Sequence, residues 1–186
     1  MGLLQFNGFL WLAWVAYWYI AARFVKATKS SEGWLLRLVH VLPMAAGFYL
    51  IFPWGDLPLI GGKLYTNIWF RWFGMALTLA GLLFAVWARI HLGKNWSGIV
   101  TIKHDHKLIR TGPYRFVRHP IYTGFLAATL GSAIVAARAD AMVGFALIVA
   151  ACLLKIRREE AVLAREFGDE YRIFQNEVAA LVPFIV

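Results

Sequence analysis

The chain has 186 residues, 61% of them hydrophobic and 16% charged, and a formal net charge of +9. Soluble domains run at about 45–50% apolar and about 25% charged, and a core of this size leaves much of its surface wet. The apolar excess excludes a disordered chain, a disulfide scaffold and an ordinary soluble enzyme, and it points to the bilayer as a second solvent.

A membrane span needs about 20 apolar residues. Five stretches come close: residues 3–24, 34–52, 68–88, 121–137 and 141–156. The last two are short and separated only by a turn holding Arg138 and Asp140, so they predict a tight helical hairpin. The first is no cleaved signal: residues 1–8 carry no positive charge, and Trp11, Trp14 and Trp18 interrupt it. Trp34, Trp54, Trp69 and Trp72 fall near span ends, where amphipathic rings suit the headgroups. Gly124, Ala128 and Ser132 recur every four residues, a spacing that lets helix backbones approach. Cys152, inside an apolar run, reads as a small core residue.

Sixteen of the nineteen Lys and Arg residues fall after spans one, three and five. Five spans with the N-terminus outside put all three basic segments in the cytoplasm, so the net charge is a topology signal and not a nucleic-acid footprint. The longest stretch outside the spans, residues 89–120, contains Trp96, Val100, Ile102, Leu108, Tyr114 and Phe116, which argues against disorder.

Within it, Gly112-Pro113 marks a turn, and Pro120 suits the first position of the fourth helix. His119 flanks that helix start, whose free N–H groups and dipole favour an anion. Arg118 adds a fixed charge able to grip a carboxylate. The fifth span continues into Lys155-Ile-Arg-Arg-Glu-Glu160, with Gly168 as a helix stop. Tyr171, Phe174, Val178 and Leu181 then mark an amphipathic helix closed by Pro183. Glu159 and Glu160 point about 100° apart on a helix, and a hairpin of spans four and five brings them to Arg118 and His119.

Plainer readings exist for each. Arg118 can be a topology signal, His119 a cap, and the two glutamates solvated partners of Arg157 and Arg158, with Lys155–Glu159 a weak i,i+4 pair. His104 and His106 flank Asp105, but no matching cluster supports a metal, and a solvated loop is the better reading. His40, one turn before Pro43, suits a bond to a freed carbonyl, and Arg37 is close enough to a span end to snorkel. No dinucleotide, phosphate-loop or zinc-protease motif is present.

Residues 87–97, Thr111-Gly-Pro-Tyr114, Val117-Arg-His-Pro-Ile-Tyr-Thr-Gly124, Arg158-Glu-Glu160, Phe167-Gly-Asp-Glu-Tyr171 and Leu181-Val-Pro-Phe184 together resemble the isoprenylcysteine carboxyl methyltransferase family. The resemblance covers residues 87–186. It implies an all-α integral membrane protein of about five transmembrane helices, a single domain over 1–186. Residues 1–88 would hold spans one to three, and 89–186 a cytosolic cofactor-binding half.

It further implies an S-adenosylmethionine-dependent enzyme. The substrate would be a hydrophobic, lipid-like or prenylated molecule entering from the bilayer, methylated at a carboxylate. Leu108, Gly112, Pro113, Tyr114, His119, Pro120, Tyr122 and Glu160 would line the cofactor site, with Arg118 and Glu159 near the reacting groups. The bilayer lipids are the other expected partner, with no metal and no nucleic acid. A plasma or inner membrane with the active site in the cytoplasm is the expected location. Phospholipid amine methyltransferases look similar here, and membrane reductases using a nicotinamide cofactor are a more distant alternative.

Overall fold

The computed structural model describes residues 2–25, 28–31, 33–52, 62–65, 67–96, 101–103 and 108–183, the backbone alone at 28–31 and 101–103. Trp54, Val100, His104, Asp105, His106 and Phe184, singled out above, lie outside the described residues. Among the described residues six α-helices form: α1 (Leu3–Ala21), α2 (Trp34–Ile51), α3 (Ile68–Leu92), α4 (Pro120–Ala136), α5 (Ala139–Phe167) and α6 (Asp169–Glu177). One two-stranded antiparallel ribbon, which the sequence pattern does not announce, joins β1 (Thr28–Ser31) to β2 (Thr101–Lys103).

Local chemistry sets several helix ends. The Asn67 side chain accepts from the Trp69 N–H at 2.9 Å and caps α3. Pro120 opens α4, where a missing N–H costs nothing. Gly168, at φ 56°, stops α5 as the sequence predicts and starts α6. The third helix runs past the expected end at 88 to Leu92. The sixth ends at Glu177, earlier than the apolar spacing suggests. Val178 and Leu181 are not on it, and residues 178–181 instead cross the start of α4 through backbone hydrogen bonds.

Among the described residues three helices, α2, α3 and α5, are long and apolar enough to cross a membrane. The first helix carries Gln5 and Asn7, and α4 has 17 residues, so neither reaches that mark. The bundle is inside-out by soluble standards: Leu12 is 65% and Leu83 60% exposed, and Trp34, Trp69 and Trp72 also face outward.

Small residues set the packing. A Cβ on Gly81 would meet the Gly124 carbonyl oxygen at 2.5 Å, and one on Gly131 would meet that of Gly74 at the same distance. Helices α3 and α4 therefore touch backbone to backbone, and Gly47 and Gly144 do the same for α2 and α5. Helix α1 is held by polar side chains: Asn7 Nδ2 donates to Thr78 Oγ1 at 3.0 Å, and Trp11 Nε1 to Ser132 Oγ at 2.9 Å. Cys152 is buried in the core with Ile51, Ala133, Ala141 and Ile148, as its apolar run predicts.

Candidate functional site

The α4–α5 hairpin brings the start of α4 to the far end of α5, joining the two motifs that the sequence separates by about forty residues. Arg118 Nε donates to Glu160 Oε1 at 2.9 Å, and His119 Nε2 lies 3.0 Å from the same oxygen. The other oxygen, Oε2, accepts from Gln175 Nε2 at 3.3 Å. The adjacent glutamate points elsewhere, as the helical offset requires: Glu159 Oε1 accepts from the Tyr122 hydroxyl at 2.7 Å. Its Oε2 sits 3.9 Å from His119 Nδ1. The ammonium of Lys155 lies 5.7 Å over the Tyr122 ring.

A third wall comes from the segment after α6. Arg118 Nη1 donates to the carbonyls of Gln175, at 2.9 Å, and of Val178. The N–H groups of Arg118 and His119 donate to Ala179 and Ala180, at 2.8 and 3.0 Å, and Thr123 Oγ1 donates to the Leu181 carbonyl at 2.7 Å. The residue before a helix-opening proline has no helical ladder to join, so residues 178–181 supply the missing acceptors.

Electrostatics follow from this geometry. Burial alone would raise the Glu160 carboxyl. Hydrogen bonds from His119 and Arg118, with their charges, outweigh it and hold the group at about 2. Burial pushes the Tyr171 hydroxyl up and the Glu160 charge adds to it, so this buried phenol stays protonated beside the pair.

Next to this cluster lies the Gly112-Pro113 turn. Its φ of +59° is a left-handed conformation, and a Cβ there would meet the His91 ring at 2.5 Å, two reasons for glycine. Thr111 Oγ1 lies 2.9 Å from His91 Nε2, and the His91 and Tyr114 rings stack. The Tyr114 hydroxyl donates to the Ala88 carbonyl at 3.5 Å. Burial, with the Glu159 charge adding, keeps this phenol protonated too.

Of the residues selected from sequence, Arg118, His119, Tyr122, Glu159 and Glu160 thus form one contact network. Pro120 is buried at the head of α4, while Pro113 and Tyr114 are buried with Gly112 in the turn that packs on α3. Leu108 is half-buried at the start of that segment. Arg118 differs from expectation in one respect: its charge is already matched by Glu160. Arg158 Nη1 donates to the Leu36 carbonyl at 2.6 Å and ties α5 to α2.

Sequence reasoning passes over Gln175, Thr123, His91 and the carbonyls of residues 178–181. Thr123 and His91 lie inside the motif stretches without standing out, and Gln175 falls four residues after Tyr171 on the inward face of α6.

Residues 74–165 match the family model of the isoprenylcysteine carboxyl methyltransferases. The chain is 31% identical over 120 residues to protein-S-isoprenylcysteine O-methyltransferase A of Arabidopsis thaliana, covering 63% of this chain and 61% of that protein. To the Schizosaccharomyces pombe protein-S-isoprenylcysteine O-methyltransferase it is 27% identical over 202 residues, covering 97% of this chain and 83% of that one. The chain thus spans about 61% of the length of the plant relative. A solved structure of a eukaryotic intramembrane Ras methyltransferase shares the fold, with a TM-score of 0.55 at 23% identity, over 83% of this chain and 54% of that one. These relatives lend no support to the amine-methylating or reductase readings.

Proposed function

We propose, from the match of residues 74–165 to the isoprenylcysteine carboxyl methyltransferase family model and the likeness to its curated relatives, that the chain is an S-adenosylmethionine-dependent membrane methyltransferase that esterifies the carboxylate of a prenylated cysteine or a similar lipid-linked acid. One observation carries this reading: the basic start of α4 and the acidic end of α5 meet in direct contact, enclosed by residues 178–181.

The donor set suits such a cofactor. Glu160 is saturated by Arg118, His119 and Gln175, and so acts as the fixed centre that orients them. Glu159 accepts one hydrogen bond and keeps an oxygen for an ammonium or a ribose hydroxyl. Tyr114 and Tyr122 give rings and hydroxyls, and Leu108, Gly112, Pro113 and Pro120 a wall around them. When bound, S-adenosylmethionine supplies an electrophilic methyl on a cationic sulfur. A carboxylate is already ionised at neutral pH, so the protein removes no proton. Its work is to align the acid and exclude water.

The distribution of Lys and Arg supports five spans, an exterior N-terminus and a cytoplasmic site reached by the substrate from the bilayer. The test is transfer of tritium from labelled cofactor to N-acetyl-S-farnesylcysteine, with cofactor binding measured separately. Glu159→Gln should lose at least about tenfold in cofactor affinity while folding normally. A purified wild-type protein that binds no S-adenosylmethionine removes the reading.

A further inference from the structure

Residues 87–97 contain a second arginine that the cluster does not absorb. Arg89, at the end of α3, is 4% exposed. Its Nη1 donates to the Gly93 carbonyl and its Nη2 to that of Ala21, both at 2.8 Å. It thus caps the C-termini of α3 and α1 together, where a cation is favoured. The Trp96 ring covers its face at 4.5 Å. Its Nε, although buried, has no acceptor, and no carboxylate pairs with it among the described residues. Tyr17 and Tyr114 are the ionisable groups facing it.

A buried guanidinium carrying a full charge and an idle N–H is expensive to keep. Two carbonyl dipoles and an indole face do not cancel a unit charge. Its position gives the surplus a use. Tyr114 donates on one side to the carbonyl of Ala88, the residue before Arg89, at 3.5 Å, and on the other feels the Glu159 charge. The cluster therefore has an acidic flank at the end of α5 and an unmatched basic flank at the end of α3. Arg118 cannot serve as that basic flank, because Glu160 and the carbonyls of 175 and 178 occupy it.

We propose that Arg89, not Arg118, receives the carboxylate of the lipid substrate, with its idle Nε–H edge facing the acid. This deepens the methyltransferase reading and rests on it. The Trp96 indole lies on the face of the guanidinium, whereas a carboxylate binds in its plane, so the two contacts do not compete. The helix-capping bonds use the terminal nitrogens and hold the fork still, which lowers the cost of ordering it.

The experiment uses the full chain in phosphatidylcholine nanodiscs, so that no anionic lipid competes. The probes are N-acetyl-S-farnesylcysteine and its carboxamide, which differ only in charge at the reacting end. The wild type should bind the acid about tenfold or more tightly than the carboxamide, the worth of one charge-assisted hydrogen bond. Arg89→Gln should bring that ratio near one while leaving the carboxamide within about twofold. Arg89→Lys keeps the charge and loses the fork; it should lower the ratio by an intermediate amount, and it carries the test if the glutamine variant does not fold. An unchanged ratio in either variant overturns the proposal, as does an equal loss for both probes, which would make Arg89 a helix cap and no more. A wild type that binds both probes equally overturns this inference alone. One that binds neither probe nor S-adenosylmethionine overturns the reading beneath it.

Discussion

The two ends of the α4–α5 hairpin carry the same chemistry in different settings. At the turn between the helices, Arg138 Nε meets Asp140 Oδ1 at 2.8 Å, two residues away. Arg138 also donates to the Leu50 carbonyl at 2.7 Å, and Asp140 caps the Ala141 N–H at 2.9 Å. These bonds tie α2 to the hairpin. At the open end, Arg118 and Glu160 are 42 residues apart, and a histidine, a second glutamate, a tyrosine and a glutamine join them. An arginine–carboxylate pair is therefore no sign of a site by itself. What separates the open end is surplus: more donors and acids than the fold needs to close.

Substitution should break the comparison most sharply at the acids. Asp140→Asn removes a carboxylate with a side-chain exposure of 1% and should cost about 3–5 kcal/mol in stability. Glu160→Gln, at 18% exposure, should cost less, about 2 kcal/mol. The order reverses for ligand binding: the folded Asp140→Asn protein should bind S-adenosylmethionine as the wild type does, and Glu160→Gln should lose more than about tenfold. Thermal melts in detergent and cofactor titrations separate the two. Equal binding losses would mean that both ends are structural.

A smaller effect belongs to Thr123, whose hydroxyl holds the carbonyl of Leu181. Thr123→Val should cost about 1 kcal/mol and raise hydrogen exchange at the Arg118 and His119 amides, which donate to the carbonyls of Ala179 and Ala180, with no change around Arg138.

Acid should sharpen the contrast further. Glu160 titrates at about 2 when folded and near the ordinary glutamate value of about 4.3 when unfolded. A depressed value means that its contribution is full above the unfolded value and fades as the pH falls towards the folded one. Stability should therefore be flat from pH 7 to about 5 and decline below it, and Glu160→Gln should remove part of that decline. The smallest effect is expected at the exposed Asp169–Arg172 pair. Asp169→Asn should stay within about 0.5 kcal/mol of the wild type in the same melts.

Sequence reading reaches the parts of this molecule that local rules govern. The α4–α5 hairpin, the proline at the head of α4, the glycine between α5 and α6, and the approach at Gly124 follow from periodicity and backbone preference. The meeting of Arg118 and His119 with Glu159 and Glu160 is legible because a hairpin forces it. The crossing segment at 178–181 is not, because carbonyl groups leave no mark in a sequence. Apolar spacing extends α6 through Val178 and Leu181, although those residues leave the helix to satisfy the Arg118 and His119 backbone. Arg89 is hidden for another reason. A basic residue at a span end looks like an orientation signal, and only its burial against Trp96 and two helix ends shows otherwise. The ribbon between β1 and β2 joins segments too short and polar to announce pairing.

The carbonyl of Val178 lies 60 positions along the chain from the arginine it holds. During synthesis, Arg118 and the acids at 159 and 160 are made before the segment at 178–181 that holds them together. A nascent chain with its spans already inserted still lacks the closure of its site. A chain interrupted before residue 178 should be unable to capture a methyl donor, so insertion into the membrane and competence for binding become separable steps.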